Sequence, residues 1–203
     1  NKKLSHNNLL KILVKIFYPL IAIYEVLISF SIKLTPQSYY IKLVERADHT
    51  FDQLWEETRE RFENTNIRTS DIINWYCSND GMGNNLLFGC YNNNDLIGYM
   101  LCMSEETRSN LRLLTVLDLW GKFENENMAT SLLNHSLKFG LHNNYDLVLL
   151  PVFHRVVESF SKKFILNRPS SGTYFYKAKS SIVKKLSNSE SYFSSLQGDW
   201  GLF

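Results

Sequence analysis

Asp118 is the only acid in the apolar stretch LRLLTVLDLW (Leu111 to Trp120). A carboxylate at a strand end can accept a proton or anchor the loop that follows. His154 stands where an apolar run gives way to a helical pattern, which suits a general base, a ligand contact or a capping side chain. Arg68, just before the helix start in RTSDIINW, offers a clamp for an anion or a surface ion pair. The segment ENENMATSLL (Glu124 to Leu133) begins a helix, with Asn127 as an N-cap and Glu124 and Glu126 complementing its dipole. Cys77, Cys90 and Cys102 have neither CxxC spacing nor a His cluster nearby. That pattern argues against a metal centre or a disulfide framework and for a reducing compartment.

The chain around these residues has 203 residues, 44% hydrophobic and 21% charged, enough for one domain with a full core or one domain plus an appendage. A formal net charge of +2 gives no electrostatic basis for a nucleic-acid partner. Nine Gly stand against 20 Asn, so turns that need positive φ must draw on Asn. Residues 9–34 are the most apolar segment; within it Ile16 to Ile32 is interrupted by Glu25, Ser29 and Ser31, with a kink expected at Pro19. The run sits at the short end of the ~17–25 residues of a spanning helix and carries a charge near its middle. Lys2, Lys3, Lys11, Lys15 and Lys33 flank it. Three readings stay open: a helix packed on its own or another domain, an interfacial membrane helix, and a true span. Residues 1–35 are thus expected as an apolar, basic helix or linker, and residues 36–203 as the main domain.

The main domain must supply the scaffold. Ser38 to Glu45 alternates as a strand, Phe51 to Phe62 forms an amphipathic helix, and a second helix starts near Arg68–Ser70 under a hydroxyl cap. Leu86–Tyr91 and Leu96–Met103 flank Asn92-Asn93-Asn94-Asp95 as a hairpin, with Tyr91 opposite Leu96 and Cys90 opposite Ile97. Leu111 to Trp120 is the fourth strand, followed by a helix over about 127–141. Tyr145 to Pro151 is an apolar run expected as a strand buried on both faces. A helix over about 152–164, a strand at 173–179 and a last strand near Tyr192 complete the order β-α-α-β-β-β-α-β-α-β-β. Trp55, Trp75 and Trp120 are expected in the core. The class is mixed α/β.

This order, with the local residues, resembles the GNAT superfamily of N-acetyltransferases. In that family the helix after the fourth strand opens on R/Q-x-x-G-x-G/A and then Leu-Leu. Here Glu124 falls at the basic position, Asn127 and Ala129 at the glycine positions, and Leu132 and Leu133 follow. A narrower resemblance is to GNAT-like acyltransferases encoded with bacterial surface-polysaccharide genes and related to Fem-type transferases. It rests on FDQLW (Phe51 to Trp55), Arg68 with Trp75, IGY (Ile97 to Tyr99), Asp118 in VLDLW and GDW (Gly198 to Trp200).

The resemblance implies a largely antiparallel twisted sheet flanked by helices. It further implies acetyl-CoA or another acyl-CoA held between the fourth and fifth strands, and transfer to an amine of a surface sugar or peptide. On that footing Leu119, Gly121, Asn125, Glu126, Asn127, Met128 and Ala129 would bind the cofactor. Asp118 and His154 would handle protons. Tyr174 would stand in for the family's tyrosine acid, whose place is taken by Ser161, with Tyr176 and Tyr192 as further donors. The location implied is cytoplasmic, with peripheral attachment at the inner membrane face through residues 9–34. The loop's two carboxylates and lost glycines equally suit a GNAT-shaped module that binds a partner, a sister domain or a membrane and does not catalyse. Transfer from aminoacyl-tRNA is disfavoured by the near-neutral charge.

Overall fold

The computed structural model describes residues 23, 39–63, 65–78, 84–150, 157–160, 192 and 194. The chain divides into two compact units, Asn1–Pro36 and Gln37–Phe203. Of the first, only Ile23 is described, in helix.

The second unit is built on a five-stranded sheet in the order β1-β2-β3-β4-β5. The strands are β1 Tyr40–Val44, β2 Asn84–Asn92, β3 Asp95–Glu106, β4 Arg112–Gly121 and β5 Leu147–Leu149. Neighbours are antiparallel up to β4, and β4 and β5 run parallel. A parallel pair needs a crossover, which α3 (Glu126–His142) provides. The other helices, α1 (His49–Thr58) and α2 (Ser70–Ser78), precede β2.

Side-chain periodicity explains the layers. In α1 the buried residues are Phe51, Leu54, Trp55 and Thr58, a single stripe at i, i+3, i+4 and i+7. That stripe meets one sheet face: Phe51 packs on Tyr99 at 5.6 Å and Trp55 on Trp120 at 5.5 Å between ring centroids. On the other face α3 buries Met128, Ala129, Leu132, Leu133 and Leu137. There Phe88 meets His135 and Phe139, each at 5.0 Å. Asp48 caps α1 by accepting the Thr50 N–H. The first amide of α2 is held from outside, by the Asp52 carboxylate, which also takes the Ser70 hydroxyl.

Two bulges reset the alternation of side chains. Cys90 pairs with Gly98 and Tyr91 with Leu96, so Ile97 is the extra residue and the expected Cys90–Ile97 pairing does not occur. Asp118 pairs with Leu101 but Val116 with Cys102, so Leu117 is extra in β4. Before Leu117, the even-numbered residues Leu114 and Val116 share the α3 face with Cys102; after it, Asp118 and Trp120 share the α1 face with Leu101 and Tyr99.

Asn93, Asn110 and Asn144 are the non-glycine residues with positive φ among those described, at 55°, 59° and 55°. Asparagine thus does the work of glycine in these turns, as the composition implies. Three other expectations need correction. Trp75 is 56% exposed, because the short helix α2 turns only Ile73 fully inward and docks through Asn74, whose side chain bonds both backbone groups of Ala47. Leu147 and Leu149 are 49% and 40% exposed, so β5 is not buried on both faces; an apolar run reports hydrophobicity, not what covers it. Tyr192 and Ser194 are described and lie in no strand. The helix expected over 152–164 is described only at 157–160, where it is helical, and the 173–179 strand lies outside the described residues.

Candidate active site

The parallel pairing of β5 with β4 covers only Leu113 to Thr115. From Val116 to Gly121, β4 keeps β3 on one side and no described strand on the other. The Lys122 N–H bonds the Ile97 carbonyl at 3.0 Å, which makes Gly98/Gly121 a non-hydrogen-bonded pair of the ladder. By alternation Met100/Leu119 is another. The backbone N–H and C=O of Leu119 and Gly121 therefore point away from β3, into the space past the end of β5. Their carbonyls are used within the chain: the Tyr192 hydroxyl donates to the Leu119 oxygen, and the Phe123 N–H to the Gly121 oxygen.

Close backbone approach at this point depends on glycine. A Cβ on Gly121 would lie 2.5 Å from the Ile97 oxygen and 2.6 Å from the Gly98 Cα. One on Gly98 would meet the Met128 sulfur at 2.4 Å. Met128 thus seats the first turn of α3 directly on the β3–β4 ladder, and its side chain is fully buried.

The loop from Lys122 to Asn125 delivers the chain to α3. Asn125 is the N-cap, but its side chain makes no cap bond; its amide nitrogen donates to the Tyr39 hydroxyl instead. Asn127, expected as the cap, lies inside the helix and is exposed. The Met128 N–H is spent on the Asn125 carbonyl, and Ala129 is buried. The N–H groups of Glu126 and Asn127 remain in the first turn, where a helix has no internal acceptors. Charge around the loop is balanced from the α1 side. Arg61, in the 3-10 turn Arg59–Arg61, pairs with Glu124, and Lys122 pairs with Glu57 at 2.7 Å. The carboxylate at the loop's usual basic position thus faces a guanidinium.

Asp118 sits under this edge, completely buried. Arg68, only 2% exposed, grips it with two bonds, Nε to Oδ2 at 2.9 Å and an η nitrogen to Oδ1 at 3.2 Å. The Tyr99 hydroxyl adds a third, to Oδ2 at 2.9 Å. Arg68 also donates to the Thr65 hydroxyl and to the Asn66 carbonyl. Its guanidinium lies 4.3 Å from the Trp120 ring centroid and 4.9 Å from that of Tyr192. Burial acts to lower the Arg68 pKa, and the adjacent Asp118 carboxylate outweighs it, so the pKa is raised. Burial, reinforced by Asp118, also pushes the Tyr99 phenol well up and keeps it a neutral donor. The surface ion pair expected for Arg68 is therefore a buried one. A carboxylate with three donors already in place has at most one of its ~four acceptor directions left for a substrate proton.

Of the residues the sequence singled out, the structure gathers Asp118, Leu119, Gly121 and Asn125 to Ala129 around one end of β4. His154 and Tyr174 lie outside the described residues. Tyr99, Arg61 and Tyr39 were not anticipated from sequence. Tyr99 carries a weak signal in IGY, whereas Arg61 and Tyr39 carry none, since their partners are 63 and 86 positions away. Among the described residues no group of His, Cys, Asp or Glu could hold a metal ion, and no helix is long and apolar enough to cross a membrane. Residues 9–34 fall outside that search.

No protein-family model matches the sequence, and no curated protein matches it. Solved structures do match. A ribosomal-protein-alanine N-acetyltransferase from Brucella melitensis biovar Abortus 2308 superposes with a TM-score of 0.50 at 14% identity, over 70% of this chain and 100% of its own. An aminoglycoside acetyltransferase from an uncultured soil metagenomic sample, in complex with sisomicin, gives 0.50 at 15% identity, over 70% and 96%. At these identities the likeness is one of fold alone: the mixed sheet and its flanking helices superpose on those of these two acetyltransferases.

Proposed function

We propose that the chain is an acyl-CoA-dependent N-acyltransferase whose acceptor is an amine on a sugar or peptide. The observation that carries this is the β4 edge, where Leu119 and Gly121 aim their N–H groups past the end of β5 on an N-acetyltransferase fold. Acceptor chemistry has precedent in the neighbours, one named for a ribosomal-protein alanine and one for aminoglycosides.

When bound, acyl-CoA would supply an activated thioester. The residues present suit it. The first turn of α3 has no side-chain cap and offers the Glu126 and Asn127 N–H groups to a pyrophosphate. Arg61 offsets part of the repulsion that the exposed Glu124 would exert on the pyrophosphate, about 1 kcal/mol at ~4 Å in water. The Leu119 or Gly121 N–H would receive the oxyanion as the amine nitrogen bonds to the acyl carbon and the C–S bond breaks. We assign Asp118 an anchoring role, because its oxygens are engaged by Arg68 and Tyr99; the amine proton would leave to water. Most of the rate enhancement would then come from holding amine and thioester together.

The test is thermal unfolding with acetyl-CoA, longer acyl-CoAs and CoA. A rise in Tm that saturates with ligand is expected; no shift at millimolar ligand rejects the reading. The second reading, a non-catalytic GNAT-shaped module, is favoured by the engaged carboxylate of Asp118 and by the loop's carboxylates Glu124 and Glu126. It predicts stabilisation by a partner or by lipid vesicles that is lost without residues 1–35. The apolar segment 9–34 and peripheral membrane attachment belong to that proposal.

A further inference from the structure

The structure puts a buried ion pair, an aromatic ring and a backbone carbonyl in one line. Asp118 fixes the Arg68 guanidinium in a two-bond fork, which leaves it no rotational freedom about the pair. The centre of that guanidinium lies 4.9 Å over the Tyr192 ring, and Trp120 meets the same ring edge-on at 5.2 Å and 86°. Phe62 and Phe123 also pack on it, at 5.1 Å and 5.6 Å. Held among these rings, Tyr192 directs its hydroxyl to the Leu119 carbonyl.

The position of that carbonyl matters. Leu119 and Gly121 are the two β4 residues whose peptide groups face the space past β5. With the Tyr192 hydroxyl on one carbonyl and the Phe123 N–H on the other, each carbonyl keeps one acceptor direction at most, and the balance of the edge shifts toward its donors. Unmodified, such an edge would alternate donor and acceptor and would accept any extended amide as an extra strand. A donor-rich edge instead suits a ligand whose oxygen projects into it, such as an acyl carbonyl.

We propose that Arg68 and Tyr192 are positioning residues, which convert the β4 edge at Leu119 and Gly121 into a donor-rich surface selective for an acyl carbonyl. Neither needs to touch the reacting atoms; each acts through the Leu119 peptide. This rests on the acyltransferase reading for its ligand, but the clamp itself is a property of the ligand-free chain.

The experiment therefore has two arms. In ligand-free protein, the carbonyl carbon of Leu119 is followed by NMR in wild type, Tyr192→Phe and Arg68→Lys, with thermal unfolding to show that each variant is folded. Removing the hydroxyl shifts that resonance, and Arg68→Lys, which keeps the charge but loses the fork, moves it in the same direction. A Leu119 resonance unmoved in Arg68→Lys overturns the clamp. In the second arm, acetyl-CoA and CoA are titrated into each protein. Tyr192→Phe is expected to lose about tenfold in acetyl-CoA affinity with CoA affinity unchanged. Equal losses for both ligands mean a merely structural role and overturn the selectivity. Wild type binding neither ligand defeats the acyltransferase reading and the selectivity with it, while the carbonyl resonance still decides the clamp.

Discussion

The two halves of β4 are held by opposite means. Its first half has a strand on either side from Leu113 to Thr115 and is pinned at the surface, where the Arg112 N–H bonds the Asp146 carboxylate and the Asp146 N–H bonds the Arg112 carbonyl. Its second half has β3 alone as a described neighbour, yet every residue from Val116 to Gly121 is buried. Packed over these six residues are a carboxylate, a guanidinium and three aromatic rings. The first half is thus held by backbone bonds near the surface and the second by buried side chains. Under the proposed function, the second half is where peptide groups would meet a ligand.

The sharpest way to break this contrast is Asp118→Ala. It leaves the Arg68 guanidinium buried without its counter-charge, and a loss of about 3–5 kcal/mol is expected in urea unfolding. Asp146→Ala, the corresponding cut in the ladder half, is exposed and should cost about 0.5–1.5 kcal/mol. Similar values for the two would dissolve the distinction. Next in size is Gly121→Ala, about 1–3 kcal/mol by the same measurement, since its Cβ would strike the backbone of Ile97 and Gly98. Gly98→Ala should cost less, because its nearest obstacle is the flexible end of Met128.

The smallest effect comes from the far face of the sheet. His135, packed on Phe88, has its pKa held below the ordinary 6.5 by burial, with the Lys138 charge adding to it. The native state then binds fewer protons than the unfolded one at mildly acid pH. The resulting stability is complete above about pH 6.5 and is lost as pH falls through the lower native value. Urea midpoints between pH 7 and pH 5 should drop in wild type and drop less in His135→Phe; parallel slopes would assign the acid sensitivity elsewhere.

Sequence patterns reach the elements of this fold better than its connections. The hairpin at Asn92–Asp95, the stripe of α1 and the helix after β4 are written in local spacing, and the Asn-rich turns follow from the glycine shortage. The bulges at Ile97 and Leu117 are not, because an inserted residue leaves an apolar strand just as apolar. Arg68 was the largest loss. Fifty positions separate it from Asp118, and a lone arginine before a helix gives no sign that a buried acid awaits it. The same blindness applied to Trp75, whose type favours burial while its helix turns it outward.

Leu117 carries a further consequence. Side chains along a strand have parity, and the bulge at this residue changes it: were Leu117 drawn into the regular ladder, Asp118 and Trp120 would fall on the α3 side, and Leu119 and Gly121 on the α1 side. Deleting Leu117 would instead join Val116 directly to Asp118, still opposite Cys102 and Leu101, and leave every downstream face where it is. The strand thus carries one spare residue outside its alternation, and the two faces of the site rest on its staying there.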